Sequence, residues 1–75
     1  MNLMQAKLKT DCKVQEINIL DEPTKIRLME LGLIVGEIVQ VKRRSLMKKT
    51  LLIVFNSSCF TLKENIAKNI EVSYA

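Results

Sequence analysis

Several residue types are absent or scarce in this chain of 75 residues. It has no histidine and no tryptophan, one proline, two glycines, two cysteines and three aromatic residues. Without histidine, the chain lacks the usual general base near neutral pH and the commonest metal ligand. The carboxylates are scattered among basic neighbours, and neither cysteine has an evident activating partner. We therefore expect no catalytic site and predict that the chain is not an enzyme.

The two cysteines, Cys12 and Cys59, are far apart in the sequence. Structural zinc needs four nitrogen or sulfur ligands at characteristic spacings, and two distant thiols cannot supply them. Because both cysteines flank strand-like apolar residues, we interpret them as buried free thiols rather than as a disulfide. Iron lacks suitable ligands as well, since the carboxylates are not clustered. We expect no metal site and no cofactor.

Long hydrophobic runs are also missing. No apolar stretch approaches the roughly 20 residues that span a bilayer. The first residues lack the basic segment followed by an apolar run that marks a leader. We expect a cytoplasmic protein with no segment inserted into a membrane. At this length we predict a single domain over residues 1–75, with one core and no internal repeat.

The two glycines mark a change of hydrophobic pattern from helical to alternating. Before Gly32, four apolar residues are spaced as on one face of a short helix, namely Ile26, Leu28, Met29 and Leu31. After Gly36, Val39 and Val41 alternate with polar residues, as in a half-buried strand. Gly32 stands where a left-handed residue commonly ends a helix, and Gly36 suits a second turn that enters the strand.

Patterning along the rest of the chain predicts short strands separated by close turns. We predict strands over residues 11–19, 36–44, 50–55, 58–63 and 69–73, a helix over 22–31 and a helical turn over 64–68. Asp21 and Pro23 favour the helix start. The order of elements indicates a mainly β fold: a small SH3-like antiparallel barrel of about five strands with one short helix between the first two main strands. An OB-fold barrel is the alternative, although it normally needs longer strands.

Positive charge is concentrated in one part of the chain. The segment from Ile38 to Lys63 contains six basic residues and no acidic residue. The basic residues are Lys42, Arg43, Arg44, Lys48, Lys49 and Lys63. A patch of this kind can neutralise nucleic-acid phosphates. Single-strand binders also need aromatic platforms, however, and both phenylalanines lie in strands that should feed the core. We favour a solvated hairpin whose lysines resist edge pairing, while nucleic acid and an acidic protein surface stay open as partners.

The stretch from Arg27 to Val41 resembles the signature of FeoA-type domains. The similarity consists of an arginine-leucine helix, a Leu-Gly-Leu turn, a glycine corner and an alternating strand, and it continues through Phe60 to Val72. Two departures stand out. Val35 occupies a position where the family often has proline, and the connection of residues 45–49 lacks the usual glycine and proline.

The resemblance implies a small cytosolic SH3-like barrel that accompanies the ferrous-iron transporter FeoB. It implies a regulatory or accessory role through protein contact with the cytoplasmic GTPase portion of that transporter. A small basic barrel that binds nucleic acid is the alternative function. The sequence leaves open whether the domain self-associates weakly.

Three groups of residues are candidates for contact with a partner. Leu33, Ile34 and Val35 form an apolar tripeptide on a turn, and such residues are either core plugs, which burial statistics favour, or an exposed binding corner. Charged residues of the adjoining helix could frame that corner, and apolar residues at a basic hairpin tip often mark an interaction. The full set is Arg27, Glu30, Leu33, Ile34, Val35, Leu46, Met47, Lys48 and Lys49.

Overall fold

A computed structural model describes residues 1–45, 47 and 49–75 of the chain. The elements follow in this order: a short 3-10 helix (Leu3–Gln5), β1 (Cys12–Ile17), α1 (Glu22–Leu31), β2 (Ile38–Arg44), β3 (Thr50–Phe55), β4 (Ser58–Lys63), α2 (Glu64–Ala67) and β5 (Ile70–Tyr74). All strand pairs are antiparallel, and the sheet order is β4-β3-β2-β1-β5. The predicted mainly β antiparallel architecture, with one short helix between β1 and β2, is confirmed.

The sheet bends around one hydrophobic core. The register shifts between Val14 and Glu16 in β1 and between Val41 and Arg43 in β2, and such bulges increase the local bend and twist of a strand. The inward-facing side chains of all five strands meet inside the bend. The fully buried members of the core with the largest side chains are Leu3, Leu33, Leu51, Ile53, Ile70, Val14, Val39, Val41 and Cys12.

Within the described residues, none of the helices has both the length and the apolar character needed to span a membrane.

One burial prediction is wrong, and most apolar residues of α1 are exposed. Leu28 is the buried residue of the helix, while Ile26, Met29 and Leu31 face solvent. Cys59 is exposed, whereas Cys12 is buried as predicted. The reason lies in the pleat of β4: Cys59 pairs with Val54 on the outer side of the sheet, and the next residue points inward.

The N-terminal segment packs against the barrel through a side chain that the sequence assigned to the basic patch. Arg44 is half-buried, and its guanidinium donates hydrogen bonds to the carbonyl oxygens of Met4, at 3.1 Å, and Ala6. These bonds connect β2 to the 3-10 helix, whose Leu3 is buried in the core. Arg44 therefore stabilises the N-terminal segment, and its guanidinium is not free to contact a partner.

Helix α1 begins at a side-chain cap. Asp21 accepts a hydrogen bond from the backbone N–H of Thr24 at 3.1 Å and another from the Thr24 hydroxyl, and Pro23 occupies the first turn. The hydroxyl and then the backbone N–H of Thr24 lower the pKa of the Asp21 carboxyl. The cap confirms the helix start that Asp21 and Pro23 predict.

The stability that the Asp21 cap contributes should depend on pH. A carboxyl with a lower pKa in the folded state stabilises the fold above its unfolded pKa of about 3.9, and the contribution is lost as the pH falls through the folded value. We expect Asp21→Ala to melt below the wild type at pH 7, with the gap narrowing toward pH 2. Asp21→Asn, an uncharged cap, serves as the control and should show a gap that changes less with pH. A gap for Asp21→Ala that is constant across this range would contradict the assignment.

Candidate protein-docking site

The end of helix α1 forms a Schellman turn around Gly32. Gly32 has φ of 94° and donates its N–H to the carbonyls of Leu28 and Met29, while the N–H of Leu33 donates to the carbonyl of Leu28 at 2.9 Å. This pair of bonds defines the motif, which usually includes an apolar contact between the residues at its two ends. Both Leu28 and Leu33 are buried. The turn therefore directs Leu33 into the core and the next residues outward.

A second turn follows immediately and forms an exposed corner. The N–H of Glu37 donates to the carbonyl of Ile34 at 3.1 Å, and Gly36 has φ of 95°. A positive φ at the third position of a hydrogen-bonded four-residue turn is the signature of type II. The corner is tied to β1, because the N–H of Gly36 donates to Val14 and the N–H of Val14 donates to Glu37. Val35 is consequently held outward, with 59% of its surface exposed.

An open apolar groove lies between the corner, helix α1 and the end of β1. Its volume is about 350 Å³, and its lining residues are Glu16, Ile17, Lys25, Met29, Ile34 and Val35. The side chains of Met29, Ile34 and Val35 are all exposed, and Ile17 is half-buried against the core. One carboxylate and one ammonium group, from Glu16 and Lys25, lie beside the apolar side chains. We name these six residues the α1 groove.

The α1 groove has the composition of a protein contact rather than of a catalytic pocket. Protein interfaces combine apolar anchor positions with a polar rim, and methionine is enriched in them. A flexible thioether such as that of Met29 also adapts to partners of different shape. The opposite charges of Glu16 and Lys25 can fix the orientation of a partner segment without adding net charge.

The structure separates the sequence-predicted contact residues into four places. Ile34 and Val35 line the α1 groove, whereas Leu33 is 1% exposed and belongs to the core. Leu33 therefore presents no surface to a partner. Within the apolar tripeptide, Leu33 is a core residue, whereas Ile34 and Val35 are exposed.

The two charged candidates of the helix lie away from the groove. Arg27 and Glu30 are exposed on α1. Residues of an α-helix are turned by about 100° from one to the next. Arg27 is thus roughly opposite the face that carries Lys25 and Met29, and Glu30 is about a third of a turn away. Neither lines the groove.

The hairpin candidates lie on another part of the surface. Met47 and Lys49 are exposed in the connection between β2 and β3 and do not line the α1 groove. Leu46 and Lys48 lie outside the described residues, so their predicted role stays a prediction.

Sequence reasoning missed four residues of the groove, namely Glu16, Ile17, Lys25 and Met29. Lys25 and Met29 are one helical turn apart, which is a visible signal. The hydrophobic pattern groups Met29 with Ile26, Leu28 and Leu31, however, and that grouping does not indicate a contact surface. Ile17 and Glu16 follow the β1 bulge, whose position no sequence pattern indicated.

Metal ligands are not grouped in the described part of the chain. In residues 1–45, 47 and 49–75, no set of three or more His, Cys, Asp and Glu side chains is placed to hold a metal ion. Burial, with a smaller effect of Asp11, raises the pKa of the Cys12 thiol. A raised pKa keeps a thiol protonated near neutral pH and therefore unreactive.

Solved structures with the same fold include FeoA proteins of two bacteria. The solution structure of the FeoA protein from Chlorobium tepidum superposes with a TM-score of 0.89 at 26% identity, covering 99% of this chain and 70% of that one. The zinc-complexed crystal structure of FeoA from Stenotrophomonas maltophilia superposes with a TM-score of 0.83 at 28% identity, covering 97% and 89%. The latter is described as an SH3 domain protein and a suggested activating factor of bacterial ferrous iron transport.

The fold also occurs within larger proteins. A manganese-dependent transcriptional repressor contains it, with a TM-score of 0.89 at 16% identity. This chain is covered completely, but it spans only 41% of the repressor. At this identity the likeness concerns the fold alone. No match is found among curated protein sequences.

The bent antiparallel sheet and the helix α1 between β1 and β2 define a small SH3-like barrel. The FeoA domain family matches residues 1–74, which is nearly the whole chain. The chain belongs to the FeoA domain family, whose members are associated with ferrous iron transport and form no known enzyme family. The resemblance and the SH3-like fold predicted from sequence are confirmed.

Proposed function

We propose that this chain is a cytoplasmic accessory protein of ferrous iron uptake that binds the cytoplasmic GTPase portion of a FeoB-type transporter through the α1 groove. Membership in the FeoA family supports the assignment to ferrous iron uptake. The observation that carries the binding site is the exposure of Met29, Ile34 and Val35 around one apolar groove. A clustered set of exposed apolar side chains is costly in water unless a partner covers it.

The architecture of the corner also supports this site. Two consecutive glycine turns and the hydrogen bonds to Val14 hold the corner rigidly against β1. A preformed contact surface loses little conformational entropy on binding. The groove can therefore receive an apolar side chain of the transporter without rearrangement of the barrel.

A charged substitution at the corner tests the proposal. Val35→Glu places a carboxylate on an exposed turn residue, so the barrel should keep its melting temperature within a few degrees. We expect the dissociation constant for the purified GTPase portion, measured by titration calorimetry, to rise about tenfold or more, because truncating or charging a central apolar anchor costs more than about 1.4 kcal/mol.

Met47→Glu is the matched control, since it also places a carboxylate on an exposed apolar residue, but one that does not line the groove. Its dissociation constant should stay within about twofold of the wild type. Absence of wild-type binding, or a loss of binding in Met47→Glu with none in Val35→Glu, would contradict the proposed site.

A further inference from the structure

Three adjoining concave surfaces on the β2-β3-β4 side of the barrel are lined by basic residues. The first, of about 470 Å³, is formed by Lys9, Lys42, Arg43 and Leu52. The second, of about 210 Å³, shares Arg43 and Leu52 with the first and extends to Thr50. The third, of about 480 Å³, shares Thr50 and includes Lys49, Lys63 and Lys68. Together they form a continuous strip across the outer side of the sheet.

The strip carries a strong excess of positive charge. Seven cations line it, and one of them, Arg44, is held by the carbonyls of Met4 and Ala6. We name the other six the basic belt: Lys9, Lys42, Arg43, Lys49, Lys63 and Lys68. Among the described residues that line these surfaces, Glu64 is the one acidic residue. Within the described residues, none of the six cations is within 4.0 Å of a carboxylate oxygen. Their charges are available to an anionic partner, and their combined field reaches beyond any single contact.

The basic belt also has apolar neighbours. Met47, in the hairpin between β2 and β3, exposes 73% of its surface, and Leu52 is half-buried between Arg43 and Thr61 on the outer side of the sheet. Lysine and arginine carry aliphatic stems that can lie along such surfaces while the charged ends stay in water. A basic surface with an exposed apolar tip matches the anionic and partly apolar boundary of a lipid layer.

The features that single-stranded nucleic acid needs are not found on this surface in the described part of the chain. Phe55 is buried and Phe60 is half-buried, and their rings pack against one another with centroids 5.1 Å apart. Neither ring is free to stack on a base. The exposed Tyr74 receives a hydrogen bond on its hydroxyl from the N–H of Lys7, and it lines none of the three concave surfaces.

We propose that the basic belt docks on anionic lipid headgroups at a membrane surface, with Met47 at the headgroup level and no segment crossing the bilayer. This inference goes beyond the proposed function, and it does not rest on it, because it concerns lipid alone. The belt and the α1 groove share no residue. A molecule docked on lipid through the belt leaves the α1 groove accessible to a membrane protein. The contact of the belt with lipid and the contact of the groove with that protein then strengthen each other.

Sedimentation with lipid vesicles tests the inference directly. The full chain should sediment with vesicles of phosphatidylglycerol in phosphatidylcholine and remain in solution with phosphatidylcholine alone. Binding should weaken steeply with added salt, because the Debye length is only about 10 Å at 0.1 M. Each belt cation near the surface should contribute about fivefold to the partition coefficient, so Lys42→Gln/Lys63→Gln should lower it about 20-fold or more.

Lys7→Gln/Lys13→Gln is the matched control. It removes the same net charge at two exposed positions outside the belt. Its partition coefficient should fall much less, by no more than about fivefold. Equal loss in both double variants would show a general effect of net charge and would overturn the assignment of the belt.

A tryptophan reporter distinguishes the belt from the groove. The chain has no tryptophan, so Met47→Trp and Val35→Trp each carry a single fluorophore. With phosphatidylglycerol vesicles, Met47→Trp should become protected from acrylamide quenching and Val35→Trp should not. Failure of the wild type to bind anionic vesicles at low salt would overturn the inference, as would protection of Val35→Trp alone. Salt-sensitive binding to oligonucleotides without vesicle binding would overturn it too and assign the belt to nucleic acid.

Discussion

Leu33→Ala is expected to lower the free energy of unfolding by about 2–5 kcal/mol. The side chain of Leu33 is 1% exposed and packs in the core next to the helix end, so its truncation leaves a cavity that a small barrel cannot readily fill. A chain of this length has a total stability of about 4–11 kcal/mol. The melting temperature should therefore fall by about 10 °C or more.

Val35→Ala is the matched control for Leu33→Ala. It lies two residues further along the same connection, yet 59% of its surface is exposed. Its unfolding free energy should change by less than about 0.5 kcal/mol, since exposed side chains contribute little. Comparison of Leu33→Ala with Val35→Ala therefore distinguishes a residue that stabilises the core from an exposed residue that is free to contact a partner. A fully stable Leu33→Ala protein would contradict the placement of Leu33 in the core.

Arg44→Met is expected to lower the free energy of unfolding by about 1.5–3 kcal/mol. Methionine preserves most of the aliphatic stem but removes the hydrogen bonds to the carbonyls of Met4 and Ala6. The carbonyl oxygens of Met4 and Ala6 then lose their charged hydrogen-bond donor in a partly buried environment. The effect should be local first, with amide hydrogen exchange accelerated in the N-terminal segment more than in β3.

The control for Arg44→Met is Arg43→Met. Arg43 pairs with Leu52 on the outer side of the sheet and is exposed. Removal of this charge should leave the stability and the exchange rates of the N-terminal segment nearly unchanged. Equal destabilisation by both substitutions would show that loss of positive charge, and not the two carbonyl contacts, causes the effect.

The local elements could be predicted from the sequence because each has a strong local cause. Gly32 and Gly36 adopt the positive φ angles that their places between helix and strand predict. β3 and β4 have the predicted bounds because Asn56 and Ser57 form a tight turn between two alternating runs, both with positive φ. Helix α1 also has the predicted bounds, whereas β1, β2, β5 and α2 differ from theirs at the ends. The 3-10 helix (Leu3–Gln5) is not among the predicted elements.

Features that depend on tertiary packing could not be predicted. Ile26, Met29 and Leu31 of α1 are as apolar as the buried Leu28, and only the position of the helix on the sheet decides which of them is buried. Arg44 and Arg43 are neighbours with the same charge, but a bulge in β2 sends one toward the N-terminal segment and the other to solvent. The α1 groove combines residues from three separate elements, and their proximity follows from the bent sheet.

The most direct test of the account is a chemical-shift map of the full ¹⁵N-labelled chain titrated with the unlabelled GTPase portion of a FeoB-type transporter. The account predicts that shifts or line broadening concentrate at the α1 groove, in residues 16–17, 25–29 and 34–35, with small changes at the basic belt. Perturbation confined to the basic belt, with the groove unaffected, would contradict the central claim that the apolar corner binds the transporter.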